Sequence, residues 1–286
     1  MNAVAALVRR SPLVSFFALT YALSWGLGAL FAGVPLIAPD RLFGAGPLVA
    51  ALLVAALAEG RAGLRDLGRR LLRWRVGLRW YAVVLVLPVV LVGVTVTLIP
   101  VFGGTALDWT KRPELAPTAL LLVILLLLPL ATPLGEEVGW RGFALPRLLA
   151  VRSPLTATLI LGVLWSLWHL PVVLDKPDLR VPAPFFLGVI PLAVLFTWLY
   201  LHTRGSLLIA VLFHAWYDLV LMYPLDVIAR SDYARMWWLL FAVQSLVAVV
   251  VLLAERRRFT QKTTDPALMR PSAMASGGQA ASPATS

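Results

Sequence analysis

Long apolar runs, separated by short polar or basic segments, set the pattern of this chain. A helix that crosses the hydrocarbon core of a bilayer needs about 20 mostly apolar residues. Eight stretches answer to that description: 13–37, 45–59, 80–102, 117–135, 155–173, 183–202, 206–223 and 236–254. The second is short and draws on flanking residues to span. The first follows Arg9 and Arg10, yet it is too long for a signal peptide and no small-residue cleavage site follows, so it is expected to persist as a helix. The fold class predicted is all-α: a polytopic membrane protein with about eight transmembrane helices, in which residues 1–259 form one membrane domain.

Two segments outside the spans carry their own signals. Residues 60–79 place leucines 64, 67, 71 and 72 at helical spacing with arginines largely on the other face. That is the pattern of an interfacial helix on an anionic leaflet, or equally of a charged loop. Residues 260–286 are rich in Ala, Ser, Thr, Pro and Gly and are expected to form a disordered cytoplasmic tail.

Composition sharpens this picture. Of 286 residues, 60% are apolar and 14% charged, against roughly 25% charged in an ordinary soluble domain, and the mean hydropathy is +0.86. The net charge of +11 would suit a nucleic-acid binder if it lay on one face. It lies instead between the apolar runs. With a cytoplasmic N-terminus and eight crossings, the cytoplasmic segments hold 18 of the Lys and Arg residues and the external loops 7, the asymmetry expected of a membrane protein with both termini inside. The partner this implies is membrane lipid, with no nucleic acid; the oligomeric state stays open. The absence of cysteine excludes disulfides, thiolate nucleophiles and Cys-bound metal. Arginine- and alanine-rich usage points to a bacterial plasma membrane.

The candidate chemistry lies in polar residues placed within or beside apolar helices, where an Asp, Lys or Arg at mid-span costs about 2.5–3.5 kcal/mol on insertion scales. The first group is Glu136-Glu137-Val138-Gly139-Trp140-Arg141. On a helix, Glu137 and Arg141 share one face and can pair, while Glu136 points about 100° away. One acid would be held ionised and the other left free for proton chemistry; alternatively the trio marks a cytoplasmic helix end. The second group is Trp165-Ser166-Leu167-Trp168-His169, with Trp165 and His169 one turn apart, which suits either an oriented functional imidazole or a packed core histidine. The third, His214-Ala215-Trp216-Tyr217-Asp218, puts a histidine and the most deeply placed acid one turn apart, as a functional pair or an interhelical bridge. His202, Glu59 and Glu255 sit at span ends and read as interfacial, solvated groups.

Taken in order, Glu-Glu-x-x-x-Arg, aromatic-x-x-x-His and His-x-x-x-Asp on three apolar helices resemble the CAAX protease and bacteriocin-processing family, the Abi-type intramembrane endopeptidases that include the CAAX prenyl proteases. The resemblance covers about residues 115–222. Two positions depart from the usual pattern: Trp165 stands where Phe is usual, and Asp218 where Asn is usual. The resemblance implies an endopeptidase in which Glu136 and His169 activate water, His214 with Asp218 holds the oxyanion, and Glu137, Arg141 and Trp165 brace the site. It also admits a zinc ion held by Glu136, His169 and His214, although the Glu-driven attack of water needs no metal and the spacing is not H-E-x-x-H.

Two other classes of function stay open on the residues alone: a proton-coupled transporter that uses Glu136, His169, His214 and Asp218 as a relay, and a non-catalytic immunity or scaffold protein. Depth is the geometric test. At 1.5 Å per residue, Glu136 is expected near the cytoplasmic end of the fourth span and His169 about 20 Å along the fifth. Pro129 and Pro133, as kinks, are what would bring the motifs level.

Overall fold

The structure, a computed structural model, describes residues 3–30, 39–105, 132–174 and 182–269. Among these residues there is no strand, and the helices are α1 Ala3–Arg10, α2 Pro12–Leu30, α3 Pro39–Glu59, α4 Arg61–Leu71, α5 Leu78–Val101, α6 Leu145–Val151, α7 Pro154–Trp168, α8 Leu170–Leu174, α9 Pro182–His202, α10 Leu207–Val227, α11 Tyr233–Ala254 and α12 Arg256–Thr260. Residues 132–137 are also helical and run through a wider, π-helical segment, Val138–Ala144, into α6. The protein is therefore a helical membrane protein. Leu78–Val101, Ala183–His202 and Arg230–Ala254 are each long and apolar enough to cross a bilayer, and Pro12–Gly26, Phe43–Glu59, Pro154–Trp168 and Leu207–Met222 are shorter apolar helices. The expected spans at 31–37 and 117–131, and the tail beyond 269, lie outside the described residues.

Local chemistry sets the helix ends. Ser153 precedes Pro154 and accepts the Thr156 N–H, capping α7, and Ser206 caps α10 by accepting the Ile209 N–H; both satisfy a first-turn donor that the helix cannot. Between α9 and α10 the chain reverses through Arg204 and Gly205 at φ 53° and 73°, a left-handed step that glycine takes without strain. The short second span gains its length at its front, where α3 begins at Pro39. The stretch at 60–79 forms a helix over 61–71, but Arg70 does not join the solvated face expected for it: it is buried.

The helices pack as a bundle in which α2 lies on α3, α3 on the π-helical segment, α7 and α11 on α9, and α5 on α10 and α11. Two glycines permit the closest approach. A Cβ at Gly135 would strike the Gly44 carbonyl oxygen, and one at Gly139 would strike Pro47 of α3.

Three expectations are corrected here. The helix does not end at Glu136: it continues to Val151, with residues 138–149 buried, so the Glu-Glu-Arg group lies inside the bundle. Glu59 is not simply solvated but pairs with the Arg147 guanidinium, and Glu255 bonds His202 and Arg258. The tail does not leave the body at residue 260. Arg70 donates to the Ala267 carbonyl at 3.0 Å, Tyr200 to that of Leu268 at 3.2 Å, and the Leu268 side chain is buried.

Candidate active site

The site begins with the widened turn. Val138-Gly139-Trp140-Arg141-Gly142-Phe143-Ala144 contains two glycines, which weaken regular α-helix, and both are pressed against neighbours: Gly139 against Pro47, and Gly142 against Leu67 and Leu207. Tertiary packing then selects the π-helical form, a form that recurs at functional sites. Glu136, Glu137 and Arg141 are each buried, at 4%, 0% and 0% exposure.

Glu137 joins two of the motifs. Its Oε1 accepts a 2.8 Å bond from Arg141 Nη1 and another, also 2.8 Å, from Nδ1 of His214 on α10. The guanidinium of Arg141 lies 4.0 Å from the ring centroids of both Trp165 and Phe196. A buried carboxylate is tolerated only with such partners. Glu137 thereby accepts the His214 Nδ1–H bond and leaves Nε2 facing Asp218, whose Oδ2 is 3.6 Å away.

Trp165 joins the remaining groups. Its indole N–H donates to Glu136 Oε2 at 2.8 Å. Its ring centroid is 5.9 Å from that of His169 and 5.7 Å, edge to face, from that of His214. The His169 Nδ1–H donates to the Trp165 carbonyl at 2.8 Å, which fixes the tautomer and leaves Nε2 as an acceptor. Because α7 ends at Trp168, His169 occupies its C-cap. The second helix is held in place from outside as well: Tyr21 donates to the Leu164 carbonyl at 2.6 Å and Trp25 to that of Trp168 at 3.0 Å.

A cavity of about 100 Å³ opens beside this cluster. Trp165, His169, His214 and Asp218 line one side, and Phe185, Val189, Leu192, Trp237 and Leu240 form much of the rest. Asp218 is the most accessible of the motif acids, with 44% of its side chain exposed. Glu136 borders the cavity only through Trp165. All seven motif residues thus fall into one connected cluster, with Trp165 as the link between Glu136 and His169.

Sequence reasoning overlooked two cavity residues, Tyr217 and Gln244. They hydrogen-bond to each other between α10 and α11, both buried. A search for ionisable groups passes over them because both are neutral; the signal that marks Gln244 is an amide in the middle of the apolar run 236–254.

Zinc was one implication of the motif residues. Among the described residues no three His, Asp or Glu side chains are grouped to hold one metal ion: Glu136 is turned to the indole of Trp165, His214 to Glu137. The arrangement does not fit that ligand set.

Residues 118–220 match the family described as type II CAAX prenyl endopeptidase, Rce1-like. That interval contains every motif residue named above. A curated relative, CAAX prenyl protease 2 of Methanococcus maripaludis, is 26% identical over 226 residues, which are 76% of this chain and 81% of the relative.

Proposed function

We propose that this chain, a protease similar to the Rce1-like CAAX prenyl endopeptidases, hydrolyses a peptide bond in a membrane-associated peptide or protein with water activated by Glu136 and His169. The observation that carries this reading is the double junction of the three motif helices: Trp165 to Glu136, and His214 to Glu137, each at 2.8 Å.

Hydrolysis of an amide needs an activated water, a stabilised oxyanion and a proton for the leaving amine. Trp165 occupies Oε2 of Glu136, so Oε1 receives the water proton. The Nε2 lone pair of His169 orients the same water. As its oxygen bonds to the carbonyl carbon, the carbonyl oxygen gains negative charge and accepts hydrogen bonds from the protonated Asp218 carboxyl and from Nε2–H of His214 in its imidazolium form, whose Nδ1–H stays on Glu137. The C–N bond then breaks, and Glu136 returns its proton to the departing amine. Glu137 and Arg141 touch no reacting atom; they position His214.

The apolar wall of the cavity suits a substrate with a large apolar group beside the cleaved bond, and the matched relative carries the name of a CAAX prenyl protease. The surrounding architecture we propose is an eight-helix, multi-pass protein of the plasma membrane with both termini cytoplasmic, in keeping with the charge asymmetry.

The test is cleavage of quenched fluorescent peptides, with and without an isoprenoid on cysteine, by purified protein in detergent. Wild type should cleave; Glu136→Gln and His169→Ala should be folded and inactive. Cleavage undiminished in either variant would overturn these roles.

A further inference from the structure

We infer that the pocket between the C-terminal strap and the basic helix α12, at the end of α11, binds an anionic glycerophospholipid. This site is separate from the catalytic cluster and rests only on the protein's being a membrane protein.

The pocket exists because the strap is anchored. Arg70, 3% exposed, donates to Tyr200 Oη at 2.6 Å, to the Ala267 carbonyl at 3.0 Å and to Asp66 at 2.9 Å. Tyr200 in turn holds the Leu268 carbonyl, and Leu268 is packed inward at 4% exposure. The strap from Gln261 to Leu268 therefore stands as a wall facing α12, bordering an open pocket of about 730 Å³.

Its charge is unbalanced. Arg256, Arg257, Arg258 and Lys262 line the space, opposed by Glu255 and Asp265. Glu255 is taken up by His202 and Arg258, and Asp265 accepts the Ala267 N–H at 2.9 Å. Among the described residues, the side chains of Arg256, Arg257 and Lys262 have no hydrogen-bond or ion-pair partner. Four cations face two acids, so the pocket keeps an excess of positive charge.

The apolar side completes the shape of a lipid. Leu246, Val249, Val250 and Leu253 are all exposed, and their spacing puts them on one face of α11. This stripe runs into the pocket at Leu253 and Ala254. An acyl chain laid along it brings a headgroup phosphate to Arg256, Arg257 and Lys262. A free phosphate ion would use the cations and leave the stripe idle.

The experiment uses the full chain in neutral detergent, titrated with phosphatidylglycerol or phosphatidylcholine in mixed micelles, or with inorganic phosphate, reading Tm and lipid retention by native mass spectrometry. Phosphatidylglycerol should bind and raise Tm; phosphatidylcholine and phosphate should not. The triple variant Arg256→Gln, Arg257→Gln, Lys262→Gln should lose affinity by on the order of tenfold to a hundredfold, as expected for removal of several interfacial cations. Leu268→Asp, which releases the strap, should weaken retention too. Arg65→Gln with Arg69→Gln, on the exposed face of α4, should leave it unchanged. Equal binding of phosphatidylcholine, an equal loss in the α4 variant, or an equal response to phosphate would each overturn the inference. Cleavage is not read, so the result is independent of the proteolytic mechanism.

Discussion

The indole nitrogen of Trp165 lies 2.8 Å from Oε2 of Glu136, a bond between positions 29 apart in the chain and on different helices. The face of the same ring carries the Arg141 guanidinium, and its edges approach His169 and His214. A phenylalanine, usual at this place in the resembled family, offers the ring but not the N–H. This chain has therefore added a donor to the carboxylate proposed as the base.

Trp165→Phe should keep the packing and lose that donor. A hydrogen bond to a charged group contributes about 1.5–3 kcal/mol, so turnover should fall roughly tenfold to a hundredfold if the bond orients Glu136 in the transition state. Glu136→Gln should fall further, by about 10²–10⁴ as for loss of a general base, with little change in Tm. Steady-state cleavage alongside thermal unfolding in detergent separates the two. An unchanged rate in Trp165→Phe would assign the indole to packing alone.

Glu137 faces two cationic or potentially cationic groups at zero exposure. Glu137→Ala leaves Arg141 buried without its counter-ion, and breaking a buried pair from one side destabilises by about 3–5 kcal/mol. Tm should drop sharply. Adding Arg141→Met should recover part of the loss, because the orphaned charge is then gone. Additive losses in the double variant would show that the pair is not coupled.

Several of these relationships were legible in the sequence and several were not, for identifiable reasons. The pairings of Glu137 with Arg141 and of His214 with Asp218 lie one helical turn apart, so spacing alone exposes them. The apolar runs showed an all-α membrane fold for the same reason: length and composition suffice. The π-helical form of Val138–Ala144 was hidden, since it depends on Gly139 meeting Pro47 and Gly142 meeting Leu67 and Leu207. Distance in sequence concealed the Arg147–Glu59 pair, 88 residues apart, and the Arg70–Ala267 bond, 197 apart. The second of these is why a polar, small-residue tail read as disordered is held to the body through Leu268.

Asp218 replaces the asparagine usual in the resembled family and stands 3.6 Å from His214 Nε2. In the proposed mechanism it must be protonated to donate to the oxyanion. Asp218→Asn supplies an amide donor that needs no proton, so cleavage should persist within about tenfold of wild type. Asp218→Ala, with no donor, should lose about 10²-fold or more, the scale of one missing oxyanion donor. Rates measured for both variants under one condition decide it; equal loss in the two would remove Asp218 from the oxyanion role.

Tyr217 and Gln244 bridge α10 and α11 at the cavity wall. Side-chain hydrogen bonds between membrane helices average about 0.6 kcal/mol and reach about 1.7. Gln244→Leu should therefore lower Tm only modestly. Its larger effect should be on KM, through the shape of the apolar wall that receives substrate, with kcat little changed. A drop in kcat at constant KM would instead place the pair among the groups that act on the transition state.

Gly139 is the tightest test of how the fold builds the site. A Cβ there meets both the ring and the carbonyl of Pro47, neither of which is a flexible chain end. Gly139→Ala must push α3 away from the turn that carries Glu136, Glu137 and Arg141. Overpacking of this kind costs about 1–3 kcal/mol, and a shift of about 1 Å in a catalytic group is enough to lower a rate by about 10²-fold. The variant should be moderately less stable and disproportionately less active. Gly93→Ala in α5 is the matched control: an added Cβ there meets nothing within 4 Å, so it should be mild by both measures. If Gly139→Ala cleaved as fast as wild type, the close seat of α3 on the π-helical turn would not be what sets the geometry of the carboxylates.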